Sequence, residues 1–242
     1  MDNTASSSLS RRMVFTAAFK YSIPVLLGYS TIGVAYGLLM SGTGYPWWLA
    51  MFASLWMYAG AGQFIAAGLF AAGTTVLEAC LVQLVVNARH IAYGLSMHKS
   101  FSFTGPFKPY LIFSLTDETF ALLSSLPESS SSKEEKRLFM FYISILDQCY
   151  WVSGSLAGAL MVSLIPFEIK GIEFALTALF VVLMIEQVLK VKKAGVFIFS
   201  AAAALLSVFL LPARISILAA MALAFVLSGL LRRKENRREK NE

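Results

Sequence analysis

Charge is scarce in this chain of 242 residues: Asp, Glu, Lys and Arg make up 14%, while 57% of positions are hydrophobic and the mean hydropathy is +0.69. A soluble domain carries about 25% charged residues and roughly 45–50% apolar ones. So little charge cannot coat a soluble globule of this size, which excludes an ordinary cytosolic enzyme, a nucleic-acid reader and a disordered chain. Cysteine is nearly absent. Cys80 and Cys149 both sit in apolar stretches without metal-ligand spacing, so no disulfide framework is implied. Histidine is limited to His90 and His98. The chain has no phosphate-cradling G-x-x-x-x-G-K-[S/T], no H-E-x-x-H, no G-x-S-x-G and no voltage-sensor arginine repeat. ATP hydrolysis, hydrolytic catalysis and a cofactor therefore find no support.

What is present is a series of long apolar runs. Crossing about 30 Å of hydrocarbon takes about 20 apolar residues in a helix. Eight stretches qualify, some marginally: 21–40, 47–72, 75–97, 109–126, 138–165, 172–189, 195–211 and 213–231. The reading is an all-α polytopic membrane bundle, with seven crossings as the alternative if one stretch is re-entrant or lies flat. Basic residues favour eight. With the N-terminus inside, 15 Lys and Arg fall on the cytoplasmic side and four opposite, with Arg89 left inside a span. Residues 1–20 then form a cytoplasmic N-terminal segment, 21–231 one transmembrane domain and 232–242 a basic cytoplasmic tail. The first apolar run is too long for a cleaved signal peptide.

Five ionisable side chains fall within these spans: Glu78, Arg89, Asp117, Glu118 and Asp147. Each costs about 2.5–3.5 kcal/mol at a helix centre facing lipid, so together they face a cavity or one another. Interhelical ion pairing is the plain alternative to function for any one of them. Arg89 sits in NARHIAYG, where Asn87 and His90 share a helix face. Glu78 lies on the Arg89 face but about 16 Å away along the axis, so Arg89 needs another anion: Asp117, Glu118, Asp147 or a substrate carboxylate. His90 reads either as a packed, hydrogen-bonded histidine or as a proton carrier. Asp117 and Glu118, being adjacent, point about 100° apart.

Asp147, Trp151, Gly154 and Gly158 follow i, i+4, i+7 and i+11, a single stripe within about 40° on a helical wheel. Packing explains the two glycines; it does not explain Asp147. In the second span, Gly60, Gly62 and Gln63 interrupt an apolar run, either as a mid-membrane helix break lining a cavity or as close packing. Pro24 with Gly28, Gly33 and Gly37 suggests a second flexible element in the first span. Gly33-x-x-x-Gly37 and Gly154-x-x-x-Gly158 also echo one another, each followed by a span ending in Gln, at Gln63 and Gln187. That pattern fits an internal repeat or two ordinary helix-contact motifs.

Taken in order, Pro24 with Gly33 and Gly37, MYAGAGQF (57–64), NARHIAYG (87–94), TDETFAL (116–122), Trp151 with Gly154 and Gly158, and FALTALFVVLMIEQ (174–187) resemble the AzlC family. Trp47-Trp48 and the Ser-rich loop are peculiar to this chain. The resemblance spans about residues 15–231 and implies the large subunit of a two-component bacterial exporter of branched-chain amino acids. It implies a plasma-membrane location, a separate small hydrophobic AzlD-like partner, and leucine, isoleucine, valine and analogues as substrates, with methionine for some members. Alternating access driven by the proton gradient is the expected mechanism. Arg89 would receive the α-carboxylate, a carboxylate the α-ammonium, and an apolar wall the side chain. A membrane-embedded enzyme and a passive channel or scaffold are the competing classes.

Overall fold

The computed structural model describes residues 10–126, 132–164 and 194–211, together with Val181, Ile185, Ala219 and Leu223. No strand occurs among these residues. The helices are α1 (Arg11–Gly42), α2 (Trp47–Trp56), α3 (Gly60–Ala71), α4 (Val76–Met97), α5 (Lys108–Phe113, preceded by one 3-10 turn), α6 (Asp117–Ser124), α7 (Lys133–Leu164) and α8 (Ala194–Leu210). Apart from Val181, Ile185, Ala219 and Leu223, the expected sixth and eighth spans, with Gln187 and the basic tail, lie outside the described residues. Contacts divide the chain into two compact units, Met1–Ala79 with Val86–Ile172, and Cys80–Val85 with Glu173–Glu242. All features below belong to the first.

Polar side chains are buried beside an apolar core, and large apolar ones face outward. Gln63, Asp147, Ser22, Ser54, Thr119 and Ser155 are fully buried, whereas Leu27, Trp56, Leu95 and Leu164 are exposed. A soluble fold hides its apolar side chains; here an apolar solvent is the one that suits the surface. Among the described helices, α1 is long and apolar enough to cross a membrane on length and composition together, with a mean hydropathy of 1.6. The 22 residues of α4 and 32 of α7 have the length but carry polar groups within.

The first span, expected to be flexible around Pro24, is one helix that Pro24 does not interrupt. Its glycines serve close approach instead. A Cβ on Gly33 would come within 3.0 Å of the Trp151 carbonyl, and one on Gly158 within 2.9 Å of Val34 Cα. Phe15 meets Tyr142, Ser22 hydrogen-bonds Tyr150 and Gly37 abuts Ser155 and Ala159, so α1 and α7 run parallel over most of their length. The two G-x-x-x-G motifs pack on each other, which is how small residues let membrane helices associate.

Two expected spans are broken. The stretch 47–72 divides at Met57–Ala59 into helices of 10 and 12 residues, about 15 and 18 Å long, each too short to cross alone. The break precedes the glycines: Tyr58 takes it with φ 35°, a backbone conformation that costs a bulky residue about 1–3 kcal/mol. Gly60 and Gly62 lie in the first turn of α3, where a Cβ on Gly60 would meet the Trp151 ring at an ordinary 3.9 Å. The stretch 109–126, expected as one short span, divides at Ser114–Thr116 into α5 and α6. Its reason is local. Thr116 caps α6 by accepting the Thr119 N–H at 3.2 Å, and Asp117 and Glu118 occupy the first turn where the helix dipole favours anions.

The glycine contacts set the separation of α1 and α7. Gly37→Val or Gly158→Val should destabilise the inserted protein by at least about 1–3 kcal/mol in denaturant titrations. Gly28→Ala, whose Cβ meets nothing within 4 Å, should change stability little.

Candidate functional site

Both helix joints turn toward the middle of α7, and three residues there meet them. Asp147 is fully buried; Thr119 Oγ1 of α6 donates to its Oδ2 at 2.8 Å, and Oδ1 has no hydrogen-bond partner among the described residues. Gln148 donates from Nε2 to the Leu55 carbonyl of α2 at 3.0 Å and accepts the Tyr110 hydroxyl of α5 at 2.7 Å. Trp151 donates its indole N–H to Gln63 Oε1 of α3 at 2.7 Å. Gln63 in turn donates to Ser54 Oγ at 3.1 Å, while its Oε1 also accepts the Ala59 N–H at 3.4 Å. The Trp151 ring stacks on Tyr36 and takes the edge of Tyr29, both from α1.

These contacts answer a backbone problem. A broken helix exposes carbonyls at one end and N–H groups at the other, and hydrocarbon satisfies neither. Leu55 and Ala59 are such groups on the two sides of the first joint, and Gln148 and Gln63 satisfy them.

The second centre lies between α4 and the start of α6. Arg89 forms an ion pair with Asp117, Nη1 to Oδ2 at 2.7 Å, with the two side chains 32% and 34% exposed. Tyr93 donates to Asp117 Oδ1 and stacks on Phe120. Glu118 points elsewhere, accepting the Tyr29 hydroxyl of α1 at 2.8 Å. One adjacent carboxylate thus serves α4 and the other α1. The Arg89 Nε is buried and has no hydrogen-bond partner among the described residues, so within them the guanidinium has a donor to spare.

His90, half-buried, meets the Tyr93 ring edge-on and lines a cleft of about 490 Å³. Tyr58, Ile91, Leu95, Ile112 and Leu115 contribute to its wall, which is chiefly apolar. Asn87 is half-buried one turn earlier on α4. Glu78 is not part of this site. It closes a capping box with Thr75 at the start of α4, a signature present in the sequence as Thr-x-x-Glu. Among the described residues no three His, Cys, Asp or Glu converge as a metal site.

Sequence reasoning missed Tyr29, Tyr58, Tyr93, Thr116, Thr119 and Gln148. Thr116 carried a legible signal, a capping residue before two acids. The tyrosines carried none, since a tyrosine in an apolar run says nothing of its partner many residues away.

The polar joints, the Arg89–Asp117 ion pair and the glycine crossing all fall within the region that matches a known protein family, the AzlC protein, over residues 24–165. The chain belongs to the AzlC family. The branched-chain amino acid transport protein AzlC of Bacillus subtilis is 36% identical over 179 residues, 74% of this chain and 70% of that protein. An uncharacterized membrane protein of Helicobacter pylori is 43% identical over 173 residues, 72% of this chain and 75% of the relative. The inner membrane protein YgaZ of Escherichia coli is 29% identical over 147 residues, 60% of each chain. No solved structure matches. As an AzlC protein the chain is a membrane protein with a transport role, and the relatives carry transport or membrane-protein names.

The Trp151–Gln63 bond ties α7 to the first joint. Trp151→Phe and Gln63→Leu should each lower stability by about 1–3 kcal/mol, because each leaves a buried partner unsatisfied. In a double-mutant cycle measured by denaturant unfolding, the pair should show a coupling energy of about 0.5–3 kcal/mol. Additive losses would mean that the two side chains act separately.

Proposed function

We propose that this chain is the large, multi-pass subunit of a secondary exporter in the bacterial plasma membrane, moving leucine, isoleucine, valine and related amino acids out of the cell. The observation that carries the reading is the Arg89–Asp117 pair beside the helix joints, in a protein whose Bacillus subtilis relative is named for branched-chain amino acid transport. A zwitterionic amino acid is itself an ion pair. It can exchange partners with Arg89 and Asp117, its carboxylate taking the planar guanidinium fork and its ammonium the freed Asp117. The cleft lined by Ile91, Leu95, Ile112 and Leu115 suits a branched aliphatic side chain, with His90 and Tyr58 at its polar part.

Eight crossings with both termini in the cytoplasm accord with the basic-residue asymmetry, and the parallel course of α1 and α7 accords with an even number of crossings between the start of one and the start of the other. Alternating access driven by the proton gradient supplies the energy, and a small hydrophobic AzlD-like subunit completes the exporter. Broken helices at mid-membrane are where secondary transporters bind substrate, which favours a carrier over a passive channel or scaffold.

The test is export of labelled leucine from proteoliposomes containing this chain and the small subunit, normalised to inserted protein. Export should saturate with leucine and collapse on adding a proton uncoupler. Arg89→Lys keeps the charge but loses the fork. A hydrogen bond to a charged group is worth about 1.5–3 kcal/mol, so export should fall about ten- to hundredfold while insertion is preserved. Unsaturable flux indifferent to the uncoupler would identify a channel, and wild-type export by Arg89→Lys would make the ion pair structural.

A further inference from the structure

Between the carboxyls of Glu118 and Asp147 runs an unbroken chain of hydroxyls. Glu118 Oε2 meets Tyr29 Oη at 2.8 Å, and Tyr29 Oη meets Thr116 Oγ1. Thr116 Oγ1 meets Thr119 Oγ1 at 3.1 Å, and Thr119 Oγ1 meets Asp147 Oδ2 at 2.8 Å. The outer end, Glu118, is exposed, whereas Tyr29, Thr116, Thr119 and Asp147 are buried. Four oxygen–oxygen contacts need four hydrogens, but Tyr29, Thr116 and Thr119 have one hydroxyl hydrogen each. If both carboxyls are ionised, one contact sets two oxygens face to face with no hydrogen between them. A single proton on either carboxyl completes all four bonds.

We propose that Tyr29, Thr116 and Thr119 form a proton relay from Glu118 to Asp147, carrying one proton more than its hydroxyls supply. With the proton on Glu118, every hydroxyl points toward Asp147. Transfer passes the Glu118 proton to Tyr29, the Tyr29 proton to Thr116, the Thr116 proton to Thr119 and the Thr119 proton to Asp147. Each hydroxyl loses one hydrogen and gains one, and the whole chain ends reversed, with Glu118 ionised and Asp147 protonated. Thr116 accommodates both directions. It has one hydrogen and two lone pairs, one of which takes the Thr119 N–H at 3.2 Å in either state.

The relay gives an interior carboxyl a route to the outside. Asp147 has no exposed surface, and Arg89 is engaged by Asp117. The other titratable groups near the two ends are tyrosines: Tyr58 at the first joint, Tyr110 of α5, Tyr150 of α7 and, towards Glu118, Tyr93 of α4, with Cys149 beside Tyr110 and Tyr150. The Tyr58 hydroxyl and Asp147 Oδ1 are both buried without hydrogen-bond partners among the described residues, so protonation at Asp147 changes what they can offer each other. The inference deepens the proton-driven reading above and rests on it for the relay's use in transport.

Infrared spectroscopy of the purified full chain in nanodiscs tests the proton count without any transport. At neutral pH the wild type should show the carbonyl stretch of one protonated carboxyl. Glu118→Gln and Asp147→Asn should each shift or abolish that band, and the double variant should lack it. No such band in the wild type, a band surviving in the double variant, or one altered by a single end alone would overturn the relay. Transport provides the second readout. Tyr29→Phe and Thr119→Val remove hydroxyls with little change of shape; leucine–leucine exchange should continue near the wild-type rate. Movement driven by a pH gradient should fall about a hundredfold, the lower range for a positioned proton-transfer group, and Thr119→Ser should restore it. Unchanged gradient-driven movement, or joint loss of exchange and gradient-driven movement, would contradict the relay. Wild-type leucine movement indifferent to the gradient would instead remove the proton-coupling reading, and the infrared band would still decide the relay.

Discussion

A helix interrupted inside a membrane leaves backbone groups that hydrocarbon cannot satisfy, and this constraint shapes the interior. At the first joint Gln148 of α7 meets it at the Leu55 carbonyl while also accepting Tyr110, and Trp151 of α7 holds Gln63, which accepts the Ala59 N–H; Asp147, one residue before Gln148, binds the Thr119 side chain of α6. The glycine crossing of α1 and α7 holds that stripe at the depth of both joints, because Gly33 and Gly154 allow the backbones to approach almost to contact. Removing a hydrogen bond here leaves the partner buried and unpaired, the costlier half of the exchange.

The same geometry separates two kinds of chemistry. Arg89, Asp117 and the cleft beside His90 lie on the α4 side, where the ion pair is a third exposed and a zwitterion can reach it. Glu118, Tyr29, Thr116, Thr119 and Asp147 run the other way, toward α1 and α7, through buried oxygens. The split begins with two adjacent residues. In the first turn of α6, Asp117 and Glu118 point in different directions, one to a cation and one to a phenol, so the proposed substrate and proton chemistries would share a helix end without sharing a carboxyl.

Much of this site was legible in the sequence because intramembrane charge is expensive. The cost of Arg89 demanded an anion, and Asp117 was among those named; the spacing of Asp147, Trp151, Gly154 and Gly158 placed them on one face, which is the face that meets α1, α3 and α6. The joints were harder to read. Gly60 and Gly62 pointed to the correct region, but the break falls on Tyr58, whose left-handed backbone no propensity favours. The second break has neither glycine nor proline, and its apolar flanks suggested one continuous span; the signal was the capping threonine before two acids. Glu78 was misread as a membrane charge in need of a partner because hydropathy outweighed its Thr-x-x-Glu cap. Pairings such as Tyr29 with Glu118 depend on packing across the bundle, and nothing local announces them.

The central claim is that Arg89 of α4 and Asp117, at the start of α6 in the second broken stretch, together receive an amino acid. Equilibrium binding of labelled leucine to the purified chain tests it most directly. The account predicts saturable binding that isoleucine and valine displace and lysine does not, and that Arg89→Ala abolishes while helix content stays at the wild-type level. Leucine binding of undiminished affinity in Arg89→Ala, or in a variant lacking both Arg89 and Asp117, would contradict it.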